Sequence, residues 1–287
     1  MLELAPPLAA ADVEQAIERA LAEDLGRIDA AADITSAAVI PPDVRFSGVM
    51  RARELMVVAG LPVAGRVFAR LDPAIAFVPE VTDGARVEAG TVIARISGPA
   101  RALLAAERVA LNFLQHLSGI ATLTRAYVDA IAGTGCRLLD TRKTTPGLRR
   151  LEKYATRVGG AHNHRVGLYD AVLVKDNHLA VAGSVKTAVE RARAAGHEII
   201  EVECDTLEQV HEAVEAGVTR VLLDNMDLPT LRQAVMLVAG RAETEASGGV
   251  RLETIRAIAE TGVDCISVGR ITQSAPAVDI GLDWAAS

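Results

Sequence analysis

The chain has 287 residues, half of them hydrophobic but only 3% aromatic, so its core must be built mainly from Ala, Val, Leu and Ile. This length allows one large or two medium domains. A formal net charge of −7 argues against a nucleic-acid-binding protein. The sequence has no apolar run near about eighteen residues and no signal-peptide pattern, which predicts a cytoplasmic protein without a membrane partner.

The first 115 residues are expected to form one α+β domain. A helix is predicted to end at Gly26, and short β-like stretches, broken by glycine and proline, follow between residues 46 and 97. Apolar and polar residues alternate in Ala85–Val87 and in Thr91–Ile96, on either side of a turn. This alternation predicts a hairpin in an antiparallel sheet.

A long helical pattern from Leu103 to Ile131 connects this domain to a second one, over residues 116–287. Six short apolar runs there each end in charged, glycine or small polar residues: Arg137–Leu139, Ala171–Val174, Ile199–Val202, Val221–Leu223, Glu243–Ala246 and Cys265–Val268. Such strands alternating with helices predict a parallel sheet or barrel. Six strands are fewer than the eight of a closed barrel, so we expect an open, incomplete α/β barrel whose carboxyl-terminal tail can return to the first domain.

Four helices are predicted between the later strands, over Ser184–Ala195, Thr206–Ala216, Leu228–Ala239 and Arg251–Thr261. A glycine, the residue that most often closes a helix, directly follows each of them. Thr206 and Gln209 have the spacing of a capping box. The three cysteines lie beside predicted strands and are interpreted as buried thiols: Cys136, Cys204 and Cys265.

Charged residues at the strand ends predict a site for anionic substrates, because α/β barrels place their chemistry there. The cations, which suit carboxylates or phosphates, are Arg142, Lys143, Arg165 and Lys175. The next strands end at Glu203 and Asp224, carboxylates suited to Mg²⁺ and a diphosphate. The last strand ends let backbone N–H groups approach a phosphate, at Ser247-Gly248-Gly249 and at Gly269. Together they indicate one phosphorylated ligand and one compact acid.

Single residues in this set allow other interpretations. Lys175 has the place of a Schiff-base lysine in barrel aldolases. Glu203, taken alone, fits a salt-bridge partner equally well. The loop histidines His162 and His164, together with His178, could bind a metal, although hydrogen-bonding roles fit their spacing better. The basic residues of a further helix are most simply a solvated face: Arg149, Arg150, Lys153 and Arg157.

Several segments resemble the quinolinate phosphoribosyltransferases, also called carboxylating nicotinate-nucleotide pyrophosphorylases. The most specific are Asp140-Thr141-Arg142-Lys143-Thr144-Thr145-Pro146-Gly147-Leu148-Arg149 and Gly159-Gly160-Ala161-His162-Asn163-His164-Arg165. Others are Glu23-Asp24-Leu25-Gly26, Lys175-Asp176-Asn177-His178, Glu201-Val202-Glu203-Cys204, Leu222-Leu223-Asp224-Asn225-Met226 and Glu245-Ala246-Ser247-Gly248-Gly249. The resemblance covers nearly the whole chain.

The resemblance implies an α/β fold: an amino-terminal α/β sandwich domain and an open, incomplete α/β barrel, paired as a homodimer. It also implies a reaction of NAD biosynthesis that requires Mg²⁺. Quinolinate and phosphoribosyl pyrophosphate would be converted to nicotinate mononucleotide, pyrophosphate and CO₂.

The same resemblance implies roles for single residues. The pyridine dicarboxylate would be held by Arg142, His164, Arg165 and Lys175, with Thr141 in the same substrate site and Arg108 reaching it from the other subunit. Lys143 would serve both substrates and act in catalysis with Glu203 and Asp224, which would also hold Mg²⁺ and the ribose. The phosphate would be surrounded by Ser247, Gly248, Gly249, Gly269 and Arg270.

One motif departs from the family pattern. Members often read Gly-Ala-Leu-Thr-His-Ser where this chain has Gly269-Arg270-Ile271-Thr272-Gln273-Ser274, so the histidine contact to phosphate would pass to Gln273 or Arg270. Two alternatives stay open: a related pyrophosphorylase acting on another substrate, and a Schiff-base lyase that uses Lys175. The roles of His162 and His178 are open as well.

Overall fold

The computed structural model describes residues 8–284, which form an α/β protein. These residues fold into two compact units. The barrel unit contains Ala126–Lys143 and Gly160–Arg270, and the sheet unit contains residues 8–125, 144–159 and 271–284. A middle segment, residues 144–159, and the carboxyl-terminal residues 271–284 thus group with the first part of the chain.

The sheet unit is built around a four-stranded antiparallel sheet. Its strands are β1 (Arg45–Ala52), β2 (Met56–Val57), β3 (Ala76–Pro79), β4 (Arg86–Val87), β5 (Val92–Pro99) and β12 (Ile280–Trp284). The order β12-β1-β5-β3 puts the last strand of the chain next to the first, and β2 and β4 form a separate pair. The helices that begin in this unit are α1 (Ala10–Leu25), α2 (Ile34–Val39), α3 (Leu61–Leu71), α4 (Ala100–Ala130) and α5 (Arg149–Val158).

The hairpin predicted between Ala85–Val87 and Thr91–Ile96 is wrong. Strand β4 pairs with β2, whereas β5 pairs with β1 and β3 in the other sheet. The alternation correctly predicted buried positions such as Val87 and Ile93, but a burial pattern does not choose a strand's partner. The eight-residue strands β1 and β5 satisfy more backbone groups by pairing with each other than β5 would gain from the two-residue β4.

Helix α4 supplies much of the sheet unit's core, through residues such as Leu103, Leu114 and Leu117. Gly119 lies on this helix where the chain near Pro276 passes against it. A Cβ at Gly119 would lie 2.0 Å from the carbonyl oxygen of Pro276. The glycine inside the helical pattern is therefore required by close packing.

The barrel unit contains the six strands that the sequence predicted. They are β6 (Arg137–Leu139), β7 (Val172–Val174), β8 (Ile200–Cys204), β9 (Arg220–Asp224), β10 (Glu243–Ser247) and β11 (Cys265–Ser267). All pair in parallel in the order β6-β11-β10-β9-β8-β7, so β6 and β7 are the two edges of an open, incomplete barrel. The edge at β6 is extended by a parallel bridge between Leu139 and His162.

The helices after these strands are α6 (Asp176–Ala182), α7 (Val185–Ala194), α8 (Leu207–Glu215), α9 (Leu228–Val238), α10 (Leu252–Ala259) and α11 (Arg270–Gln273). Four of them confirm the predicted helices. The capping box of α8 is confirmed as well, since the Thr206 hydroxyl accepts the Gln209 N–H and Gln209 accepts the Thr206 N–H.

Two smaller predictions need correction. Lys153 was expected on a solvated face, but it is only 2% exposed and lies on the buried side of α5 with Leu151 and Ala155. Of the cysteines, Cys204 and Cys265 are buried as expected, whereas Cys136 is half-buried.

Candidate active site

The predicted cations and carboxylates of the strand ends meet at one edge of the barrel sheet. Lys175 directly follows β7, Glu203 lies near the end of β8, and Asp224 and Ser247 are the last residues of β9 and β10. The β6 end is followed by Thr141, Arg142 and Lys143, and the β11 end by Gly269. Because all six strands are parallel, their carboxyl ends lie on the same side.

Two of these residues touch each other. The Lys175 ammonium forms an ion pair with the Glu203 carboxylate across β7 and β8. The Lys175 N–H also donates to Nδ1 of His178, at 3.0 Å. His178 therefore caps the start of α6 and fixes the backbone from which Lys175 projects.

Asp140 connects the end of β6 to the segment 162–165. Its carboxylate is fully buried and accepts hydrogen bonds from the Asn163 side chain and from the His164 N–H, the latter at 2.9 Å. The Asp140 N–H in turn donates to the His162 carbonyl at 3.1 Å. The two most specific sequence motifs are thus joined by one buried carboxylate that the sequence reading did not select.

Arg165 is brought close to Arg142 by this connection. Its guanidinium is buried, with 5% of the residue exposed, and donates to the Ala171 carbonyl at 3.1 Å. Burial lowers the pKa of Arg165, and the neighbouring charge of Arg142 lowers it further. Two like charges held this way favour an anion between them.

A buried cluster lies one layer below the strand ends. Nε2 of His164 is 3.1 Å from a Glu201 oxygen and 3.5 Å from a Glu245 oxygen. Glu201 and Glu245 precede Glu203 and Ser247 by two positions, so they share a strand face with them. The sequence reading missed both glutamates, although two charged residues spaced by two on a buried strand are a usable signal.

Charges in this cluster shift one another's pKa values. Burial alone would lower the pKa of His164, but the two carboxylates raise it to about 10. Burial and the charge of Glu245 raise the pKa of Glu201. At Glu245, burial also acts to raise the pKa, but the charges of His164 and Arg220 outweigh it and lower the pKa. The charges of His164, Glu201 and Glu245 therefore depend on one another, and the three groups titrate together.

The layer beneath is also charged. Arg220 contacts Glu245 at 3.3 Å and forms a second ion pair with Glu243, which also binds Arg137. The face of the barrel sheet that carries Glu201 and Glu245 thus contains two layers of buried ion pairs. Buried charges of this kind are stable only when each has a partner.

The phosphate-binding residues predicted on β10 adjoin the end of β9. Gly248 has a φ of +95°, and a Cβ there would lie 2.2 Å from the Asn225 side-chain oxygen. The Asn225 N–H donates to the Ser247 carbonyl at 3.0 Å. Only glycine allows this close approach, which leaves the turn at Gly248 and Gly249 as exposed backbone for an anion.

The donor set also fits a magnesium ion. Glu203 and Asp224 end neighbouring strands, and hard carboxylate oxygens are the ligands that Mg²⁺ prefers. In addition, Asp224 accepts a hydrogen bond from the Asn225 side chain at 2.6 Å, which orients its carboxylate.

Other predicted residues lie on the surface. Lys143, His162, Arg270 and Gln273 are exposed, and Arg108 is exposed on α4 in the sheet unit. Among the described residues, no helix combines the length and the apolar character needed to cross a membrane.

The chain matches two family models over most of its length. Residues 33–118 match the quinolinate phosphoribosyl transferase N-terminal domain, and residues 120–283 match the C-terminal domain.

Individual relatives agree with these matches. The chain is 41% identical to quinolinate phosphoribosyltransferase [decarboxylating] 1b of Nicotiana tabacum, covering 94% of this chain and 82% of that protein. It is 47% identical to a probable nicotinate-nucleotide pyrophosphorylase [carboxylating] of Bacillus subtilis, covering 78% of each. The crystal structure of NadC from Streptococcus pyogenes superposes with a TM-score of 0.91 at 40% identity, over 98% of this chain and all of that one. The chain therefore belongs to the quinolinate phosphoribosyl transferase family.

Proposed function

We propose that this protein transfers a phosphoribosyl group to quinolinate with loss of CO₂, giving nicotinate mononucleotide and pyrophosphate. The observation that carries the proposal is the pair of neighbouring guanidinium groups, Arg142 and Arg165, at the strand ends that also hold Lys175. Such a group of cations suits a compact dicarboxylate better than a monoacid. The names of the relatives in tobacco and Bacillus subtilis support the same reaction.

In this proposal the two substrates occupy different strand ends. Arg142, Arg165 and Lys175 bind the dicarboxylate, with His164 and Thr141 in the same part of the site. The ribose phosphate binds at the turn of Ser247, Gly248 and Gly249 and near Gly269, with Arg270 or Gln273 in place of the usual histidine. Lys143 serves both substrates and neutralises the pyrophosphate that departs.

The reaction then follows from the charges. The bond from the ribose C1 to pyrophosphate breaks with its electron pair leaving on pyrophosphate, and the carboxylates of Glu203 and Asp224 favour the positive charge that develops on the sugar. The quinolinate nitrogen bonds to C1. Its 2-carboxylate leaves as CO₂, the electron pair remains at C2 next to the cationic nitrogen, and a proton from solvent or the protein completes the product. Positioning two polyanions side by side is the protein's main contribution.

Mg²⁺ is the ion we propose for this site, held by Glu203 and Asp224. When bound, it would offset the negative charge of the diphosphate. Because Glu203 is paired with Lys175, the same carboxylate connects the dicarboxylate site to the sugar site.

We further propose that the protein is a cytoplasmic homodimer in which Arg108 completes the partner's dicarboxylate site. Exposure of Arg108 on α4 is compatible with contact to a second copy. Cys136, Cys204 and Cys265 are free thiols, as is usual in reducing compartments.

An assay with two acids tests the reaction. The protein is incubated with phosphoribosyl pyrophosphate, Mg²⁺ and either quinolinate or nicotinate, and CO₂ release and mononucleotide formation are measured. We expect turnover with quinolinate only. Turnover of nicotinate at a similar rate, or inertness toward quinolinate, would refute the proposal. Reduction by borohydride in the presence of substrate tests the Schiff-base alternative, which requires a covalent adduct at Lys175.

A further inference from the structure

Two buried glutamates that face His164, Glu201 and Glu245, have no role in the reaction described so far. One oxygen of each carboxylate and a ring nitrogen of His164 lie within 4.8 Å of one another, and all three residues are buried. The grouping resembles a metal-binding triad. A metal ion is disfavoured there, because Arg220 already provides a positive charge 3.3 Å from Glu245.

His164 contacts both this cluster and a residue of the dicarboxylate site. Its Nε2 faces the two carboxylates, and its Nδ1 accepts the backbone N–H of Arg165 at 2.8 Å. Both ring nitrogens are therefore engaged within the protein. The ring fixes the backbone from which the Arg165 guanidinium extends.

Glu201 also acts on Arg165 directly through its charge. Arg142 and burial disfavour the charged guanidinium of Arg165, and Glu201 favours it.

We propose that Glu201 and Glu245 are positioning residues which, through His164, hold Arg165 in place for dicarboxylate binding. This inference rests on the proposed function, since it assumes that Arg165 binds quinolinate. It predicts that the two glutamates influence the affinity for quinolinate without touching it, and leave phosphoribosyl pyrophosphate binding nearly unchanged.

The test is a double-mutant cycle on the full-length protein. Glu201→Gln, Glu245→Gln, His164→Ala and the double variant His164→Ala/Glu201→Gln are compared for the KM of each substrate, for kcat, and for the Kd of quinolinate. We expect each single substitution to raise the quinolinate KM and Kd roughly tenfold, with the KM of phosphoribosyl pyrophosphate within about twofold. If Glu201 acts through His164, the double variant should bind quinolinate as weakly as His164→Ala alone.

Thermal unfolding provides a second readout. His164→Ala leaves two buried carboxylates facing each other, so Glu201→Gln in the same chain should raise its melting temperature by several degrees. A merely structural role for Glu201 predicts the opposite, namely a further decrease. Should His164→Ala fail to fold, His164→Asn, whose amide can still donate a hydrogen bond, takes its place in the cycle.

Glu243→Gln is the matched control. Glu243 lies two residues before Glu245 on β10 and pairs with Arg137 and Arg220, but makes no contact with His164 among the described ion pairs. It should lower stability and leave the quinolinate Kd unchanged. The inference would be overturned if the losses of quinolinate affinity multiplied in the double variant. It would also be overturned if Glu243→Gln lost as much affinity as Glu245→Gln. Inertness of the unmodified protein toward quinolinate would instead refute the proposed function.

Discussion

Arg142 is half-buried and lies near the buried guanidinium of Arg165, and this arrangement determines what its removal does. Arg142→Ala should lower kcat/KM for quinolinate by roughly 10- to 150-fold, because a charge-assisted hydrogen bond contributes about 1.5–3 kcal/mol. Arg142→Lys should recover only part of the loss, since an ammonium cannot bind a carboxylate with two parallel bonds. Steady-state kinetics with both substrates varied would measure this.

A surface arginine provides the comparison for Arg142. Arg241 forms an exposed ion pair with Glu215, and Arg241→Ala should leave kinetics unchanged because exposed pairs contribute little. Near-native affinity for quinolinate in Arg142→Ala would show that the acid binds elsewhere.

Single residues were predictable from sequence where they end a strand. Lys175, Glu203 and Asp224 interrupt apolar runs abruptly, and the structure places all three at the same edge of the sheet. Glu201 and Glu245 were missed because they lie inside such runs, where a charge looks like the end of a strand. Their burial becomes understandable only with His164, which is distant in sequence and whose Nε2 lies 3.1 Å from Glu201 and 3.5 Å from Glu245.

At the scale of elements, local signals were sufficient for the barrel. Caps and terminal glycines depend on neighbouring residues, so the four later helices and the six strands could be predicted from sequence. The partner of β5 could not be predicted, because its pairing with β1 joins residues from Arg51↔Val92 to Arg45↔Pro99, far apart in sequence, and no local pattern encodes it. The burial of Lys153 was likewise set by packing rather than by its own helix.

Gly119 is another position whose role depends on packing against a segment distant in sequence, and a substitution there can test it. Replacing a glycine inside a helix by alanine normally stabilises the fold by about 1 kcal/mol. Gly119→Ala should instead lower the free energy of unfolding by about 1–3 kcal/mol, because the new Cβ would overlap the Pro276 carbonyl. Urea unfolding followed by circular dichroism measures the change.

The matched substitution on the same helix is Ala126→Gly. At this half-buried position, Ala126→Gly should lower the free energy of unfolding by about 1 kcal/mol, as glycine normally does inside a helix. Stabilisation by Gly119→Ala would mean that the segment at Pro276 does not pack on α4.

At the scale of the whole molecule, the overall charge and the local charge point in different directions. The chain carries a net −7, yet cations gather at one edge of the barrel, so small polyanions are bound there and long ones are repelled elsewhere. The sequence motifs resembled one family, and the family matches and relatives confirmed it. The proposed contribution of Arg108 involves a second copy of the chain, so its test uses the assembly.

Complementation between inactive subunits provides that test. Arg108→Ala and Lys175→Ala chains are co-expressed with different affinity tags, and mixed dimers are purified through both tags. If Arg108 serves the partner's site, one site of each mixed dimer has both residues intact and the other lacks both, so about half of the normal activity should return. Mixed dimers of Arg142→Ala and Lys175→Ala should gain no activity over the parent variants, because each barrel then still lacks one of its own two residues. Inactivity of the first mixture as well would place Arg108 in its own subunit's site or outside the site altogether.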